Sequence, residues 1–223
     1  MKERPILFSS EMVRSILNDY KTNTRRVSKL HCKLKPIQVI TNSDLYHKGY
    51  HWEDGHGQMY KCPYGVVGDR LWVKETFRVS PDAVIGWSTD ESQPCKGFID
   101  YRAGGKLERT APNIDAVEQA IVGDVDWDFL TDKWRSSLFM PRWASRILLE
   151  ITDIRYELLH DISEADALKE GITYALLPDN PQDTERAKTW FRGLWDDING
   201  KNEDKCWQAN PWVWVIEFKG VEK

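Results

Sequence analysis

The 223-residue chain has no apolar run near the roughly 18–20 residues of a membrane helix, so no membrane span is expected. Its opening stretch, MKERPILFSSEMVRS, holds a single apolar segment, Pro5 to Phe8, too short for the core of an export signal. The four cysteines, Cys32, Cys62, Cys95 and Cys206, lie far apart with no Cys-x-x-Cys pair. That excludes a dense disulfide framework and leaves reduced thiols and a cytoplasmic location as the expectation. No internal repeat or Ser/Gly-rich linker divides the chain, so one domain over 1–223 is expected, at a length suited to one core with sizeable insertions. Charge of one sign is scarce as well. The 31 Lys and Arg against 35 Asp and Glu leave −4, which at face value counts against a polyanion ligand.

The distribution of that charge points the other way. Residues 1–38 carry nine basic and three acidic side chains, a balance of +6, and the other 185 residues sum to −10. Local charge sets local potential, so a basic head on an acidic body suits an anion site as well as a solvated face. His31, His47, His51 and His56 lie near Cys32 and Cys62, which raises the question of zinc. Structural zinc sites favour a tight Cys-x2–4-Cys pair that presets two ligands, and this stretch offers only His51-x4-His56. No metal and no cofactor are therefore expected.

What the chain does have is a packed core in prospect, with 41% hydrophobic residues and eleven tryptophans. Arg4 to Phe8 (RPILF) has strand composition. Met12, Val13, Ile16, Leu17 and Tyr20 recur on one helical face, so a helix is expected over 10–20 with Ser9 or Ser10 as its cap. Residues 41–62 lack any period and read as a long loop. Gly68-Asp69 signals a turn into a strand at 71–77, and residues 80–140 read as an insertion carrying short strands such as Gly97–Arg102. Ile147–Tyr156 is a further strand. Ser163-x-x-Asp166 forms a capping box that opens a short helix, which Gly171 stops. Ala187, Trp190, Phe191, Leu194, Trp195 and Ile198 mark a third helix, and Trp212–Phe218 a closing strand with Trp214, Ile216 and Phe218 on one face.

Between the first helix and the next strand lies Lys21-Thr22-Asn23-Thr24-Arg25-Arg26, a polar run with no apolar face. It reads as a loop or strand entrance with exposed chemistry. In extended backbone Thr24 and Arg26 share a side, and Lys21 can swing over them. A hydroxyl between an amine and a guanidinium can hold a phosphate or base edge, or act as a nucleophile whose proton the amine takes. A helix followed by solvated basic residues is the plain alternative. A second candidate surface is Met140–Arg146, where Arg142 and Arg146 flank Trp143, so that a base could stack while phosphates are held. Trp143 as core filler is the competing reading there.

The order of these segments resembles the ASCH family, small β-barrels related to the PUA domains that bind RNA. The match runs through the first strand and helix, Lys21 to Arg26, Gly68-Asp69-Arg70-Leu71-Trp72-Val73, the strand Ile151–Arg155, ISEADALKEGI at 162–172, and VWVIEFK at 213–219. Within the family the chain is most similar to bacterial amidohydrolases that deacylate N4-acetylcytidine. Their catalytic Lys, Thr and later helix-terminal Glu correspond to Lys21, Thr24 and Glu170, and their following arginine to Arg26. The chain departs from them in having Asp19-Tyr20 before the lysine, and in the segments 41–62 and 80–140. It resembles much more fully a longer ASCH-like group of bacteriophage and prophage genomes, sharing CPYG-x-x-GDRLWV, MPRWASRI and NPWVWVIEF.

The resemblance implies an α+β fold, a PUA/ASCH-like mixed β-barrel with peripheral helices and long insertions. It implies recognition of RNA, a modified nucleoside or modified nucleic acid, with metal-independent hydrolysis of an N-acyl group on cytidine. Thr24 would attack the acyl carbonyl with Lys21 as base, Glu170 would orient the lysine or move a proton to the leaving amine, and Arg26 would face the oxyanion. Arg25, Arg142, Trp143 and Arg146 join Arg26 as candidate substrate contacts. A non-catalytic reader of RNA or modified DNA serving a phage, and a module that binds a host protein, are the alternatives. For Glu170, the plain alternative is an exposed side chain at a helix end.

Overall fold

Trp212–Gly220 is apolar on both of its faces, and the computed structural model, which describes residues 1–30, 34–36, 52–80, 94–121, 133–171 and 185–221, accounts for this by burying both. This strand, β11, pairs antiparallel with β10 (Leu148–Leu158) on one side and with β2 (Asn23–Val27) on the other. β6 (Arg70–Lys74) adds antiparallel to β10, and β1 (Glu3–Leu7) adds parallel to β6, giving a five-stranded sheet ordered β1-β6-β10-β11-β2. Side chains alternate across a strand. Trp214, Ile216 and Phe218 therefore join Ile6, Phe8, Leu71 and Ile151 in one core, while Val213 and Val215 face Leu159, Phe191 and Trp195 in another. Trp212 packs against the first core by stacking on Tyr156, with ring centroids 5.2 Å apart.

Helix α1 (Ser10–Leu17) starts where Ser9 accepts a hydrogen bond from the Met12 amide, and it buries Val13 and Ile16. It stops short of the expected Tyr20 because Asp19 takes a left-handed backbone, φ 59°, which leaves Tyr20 exposed. The expected strand at 71–77 also divides. β6 ends at Lys74, Glu75 turns inward, and β7 (Phe77–Val79) begins a different sheet. That sheet runs β7-β8-β9, with β8 at Cys95–Tyr101 and β9 at Lys106–Ala111, and is packed by α2 (Ile114–Ile121) around a core of its own. It occupies the stretch expected as an insertion. A small sheet of β3 (Lys35–Pro36), β4 (Trp52–Glu53) and β5 (Met59–Tyr60) gives strand structure within the supposed loop at 41–62, whose residues 41–51 lie outside the described ones.

Helices α3 (Glu164–Lys169) and α4 (Glu185–Asn199) cover the Val213/Val215 face of the large sheet. The fold is thus mixed α+β, with one large sheet and few helices. Its two edge strands are β1 and β2, and among the described residues no backbone ladder joins them. Arg26 spans that gap instead. Its guanidinium donates to the Leu7 carbonyl and sits 5.1 Å from the Phe8 ring. No described helix is long and apolar enough to cross a membrane.

Candidate functional site

The early end of α1 is what buries the lysine. Past Asp19, the amides of Tyr20 and Lys21 both donate to the Ser15 carbonyl, and Lys21 forms an isolated bridge with Glu170. The Thr22 amide donates to the Lys169 carbonyl at 2.9 Å. The polar run is thereby laced under the end of α3, and the expectation that its chemistry is exposed is overturned: Lys21, Asn23, Thr24 and Arg25 are all buried. Lys21 Nζ lies 2.6 Å from Glu170 Oε2 and 2.9 Å from the Glu170 carbonyl oxygen.

Glu170 follows α3 as its cap residue, and the start of that helix is fixed by Ser163, whose Oγ accepts from the Asp166 amide at 3.0 Å. Only this half of the expected capping box forms. The Asp166 carboxylate turns away to Arg25 and Arg155 instead. Arg25 Nη1 donates to Glu170 Oε1 at 3.2 Å, while Nη2 serves Glu157 Oε1 at 2.8 Å and Asp166 Oδ2 at 3.2 Å. Arg155 continues the network to Asp166 at 2.9 Å and Glu217 at 3.1 Å. One buried guanidinium thus bonds three carboxylates, and Lys21 and Arg155 supply the further positive charge that these buried acids require.

Alternation along β2 separates the roles of its residues. Thr24 and Arg26 pair with Ile216 and Trp214, whose side chains build the Phe8 core, whereas Arg25 pairs with Val215 and lies 5.8 Å from the Phe191 ring. A cavity of about 170 Å3 follows this strand, lined by Thr24, Arg25, Arg26 and Glu170 together with Met12, Tyr64 and residues of α4. Thr24 itself is buried on the wall of this cavity. Burial pushes the Lys21 amine below its ordinary pKa. The Arg26 and Arg25 charges push the same way, against Glu170. Burial also raises the Tyr64 phenol, with Arg26 opposing.

The structure therefore brings together five of the expected site residues: Lys21, Thr24, Arg25, Arg26 and Glu170. The other three lie around a separate helical turn, Arg142–Ala144. Arg146 clamps Glu75 with bonds of 2.8 and 2.9 Å, donates to the Gly104 carbonyl and packs 4.1 Å from the Tyr101 ring. Arg142 is exposed and pairs with Glu3, and half-buried Trp143 lines a second cavity. Sequence reasoning missed Met12, Tyr64 and Lys205 at the first cavity, although Tyr64 stands within the CPYG motif.

Among the residues weighed for zinc, Cys62 is buried, and that burial pushes its thiol up to about 11. His56 is exposed, and His31, Cys32, His47 and His51 lie outside the described residues. Among the described residues no group of three His, Cys, Asp or Glu is arranged to hold a metal.

No protein-family model matches the chain, and no curated protein does. Among solved structures it is similar to an ASCH domain from Lactobacillus crispatus JV V101, at 11% identity over 98% of this chain and 79% of that one, with a TM-score of 0.34. A score at that level carries no argument about the site, whose chemistry rests on its own geometry.

Proposed function

We propose that the cavity at Thr24, Arg26 and Glu170 takes one modified base, free or within RNA, and hydrolyses an N-acyl group on cytidine, on a PUA/ASCH-like barrel. The supporting observation is a buried threonine that shares its cavity with Glu170, the carboxylate bonded to buried Lys21, with Arg26 on the same strand face. A cavity of about 150 Å3 accepts a benzene-sized ring, so this one suits a single base and excludes a duplex.

In this reading Lys21 first passes its ammonium proton to Glu170 across their 2.6 Å contact, and the amine so formed accepts the Thr24 proton as Oγ1 attacks the acyl carbon. Arg26 faces the oxyanion that forms. As the C–N bond breaks, the proton passes to the departing cytidine amine, with Glu170 holding the Lys21 ammonium in place. Water then cleaves the threonine ester to release the carboxylic acid and restore the hydroxyl. A non-catalytic reader of RNA or modified DNA is the second reading. It is favoured by the fact that, among the described residues, Lys21 Nζ donates only to Glu170.

Incubation with N4-acetylcytidine separates the two. The catalytic reading expects cytidine and acetate from the wild type, and loss of product by a factor of a thousand or more in Thr24→Ala, the order seen when a nucleophile is removed. Thr24→Ser should retain part of the activity. No product from the wild type, or undiminished turnover in Thr24→Ala, overturns it.

A further inference from the structure

We propose a second site, one that holds the phosphate of a nucleotide, in the open cavity between β9 and the turn Arg142–Ala144. This cavity has a volume of about 660 Å3 and shares no lining residue with the cavity at Thr24. The charged side chains among its described lining residues are both arginines, Arg109 from β9 and Arg142 from the turn. Matched cations without a carboxylate between them select an oxyanion, and guanidinium forks suit phosphate in particular.

Both arginines keep guanidinium nitrogens weakly engaged. The Trp143 indole Nε1 and the Arg109 Nε are buried behind this wall, beside a smaller enclosed void that both residues also line, so the cavity is met by the ring of Trp143 and the guanidinium groups. Arg109 lies beside the Tyr101 hydroxyl and, among the described residues, otherwise donates only a long bond, 3.5 Å, to the Glu108 carbonyl. Arg142 uses Nε for Glu3, in a pair whose side chains are 46% and 38% exposed, and its terminal nitrogens bond no acceptor among the described residues. An exposed pair of that kind is weak and yields to a competing anion.

The rest of the lining decides between inorganic phosphate and something larger. Pro94, Pro112 and the indole of Trp143 give flat apolar walls beside the two guanidinium groups. Such walls stack on a base or sugar while the arginines take the phosphate. The ligand is therefore a nucleotide phosphate, either as a free nucleotide or as one unit of a single strand. Arg146, held by Glu75, is the scaffold of this site and does not contact the ligand. The proposal stands apart from the acyl hydrolysis at Thr24, and each can fail without the other.

Fluorescence anisotropy with a fluorescein-labelled single-stranded RNA, competed by unlabelled CMP, tests it in wild type and Arg109→Gln/Arg142→Gln. The double substitution should weaken RNA binding at least tenfold and flatten the dependence of log K on log salt by about 0.7 for each phosphate released. Displacement by CMP in the wild type identifies the free nucleotide as sufficient, and its failure identifies a strand. Both results support the site provided the double substitution weakens binding. Trp143→Ala, which removes the flat wall, should weaken binding several-fold. If the double variant melts early, Arg142→Gln alone, at an exposed position, replaces it. Absence of RNA binding in the wild type, or equal binding in the folded variants, overturns the proposal.

Discussion

Nζ of Lys21 and Oε2 of Glu170 meet at 2.6 Å with side chains 0% and 4% exposed, so each is the other's counter-ion in a place water does not reach. Removing one partner of such a pair leaves an uncompensated buried charge, at a cost of about 3–5 kcal/mol. Glu170→Gln should cost more than Lys21→Met, because Glu170 also neutralises Arg25 through Oε1. The double variant Lys21→Met/Glu170→Gln should be less destabilised than the sum of its parts. Urea unfolding of the four proteins measures this coupling, and simple additivity would refute it.

The burial that lowers the Lys21 pKa also fixes a sign for stability against pH. The folded protein releases this proton more readily than the unfolded chain, whose lysine titrates near 10.5. Between the depressed folded value and 10.5 the unfolded state binds more protons, so stability rises with pH across that window. The Lys21 contribution is full above 10.5 and is lost as pH falls through the folded value. Wild type should therefore gain stability relative to Lys21→Met as pH is raised from 7 to 10 in urea titrations. Other groups that titrate in the same range, such as Tyr64, cancel in the difference. A gap that narrows with rising pH contradicts this account.

Much of this arrangement is legible in the sequence, and what is not depends on distant partners. The alternation of Trp212–Phe218 foretells which side chains share a core, and the spacing of Ala187 to Ile198 foretells α4. The same period of two along β2 separates Arg25 from Thr24 and Arg26, which makes Arg25 a holder of carboxylates before it is a substrate contact. The burial of Lys21 is not local information. It needs the left-handed turn at Asp19 and a carboxylate 149 residues further on. The division of the strand at Glu75 is hidden for the same reason, since the partner that draws Glu75 inward is Arg146. Charge patterning near a helix end reads as solvated whenever its neutralising partners are remote in sequence.

Arg25 tests that distinction. Its guanidinium serves Glu157, Asp166 and Glu170 at once, and no ammonium can match that planar fork. Arg25→Lys should destabilise by about 2–4 kcal/mol, on the scale of a disrupted buried charge network. Acting through Glu170, it should lower kcat of N4-acetylcytidine hydrolysis more than it raises KM. Glu157→Gln removes the more exposed of the three carboxylates and should cost less than Glu170→Gln. A rise in KM with unchanged kcat and stability would instead return Arg25 to the role of substrate contact.

Gly171 shows how tightly the lysine is held from the other side. Its φ of +93° lies where only glycine is at ease, and a Cβ built there would stand 2.8 Å from Ser15 Cβ and 2.9 Å from Lys21 Cβ. Neither contact is with the far end of a flexible chain, so the clash must move α1, the Lys21 backbone, or the end of α3. Gly171 also fastens these elements, because its carbonyl accepts from Ser15 Oγ at 3.1 Å. Gly171→Ala should therefore cost about 2 kcal/mol or more from strain and overlap together. Ser15→Ala removes one hydrogen bond and relieves part of the crowding at the same time, so it should cost only about 1 kcal/mol alone. In the Gly171→Ala background it should cost less than that, because Ser15 Oγ is 3.2 Å from the added methyl. Thermal melts of the single and double variants read the difference. If Gly171→Ala melts with the wild type, Lys21 is not clamped between these two segments.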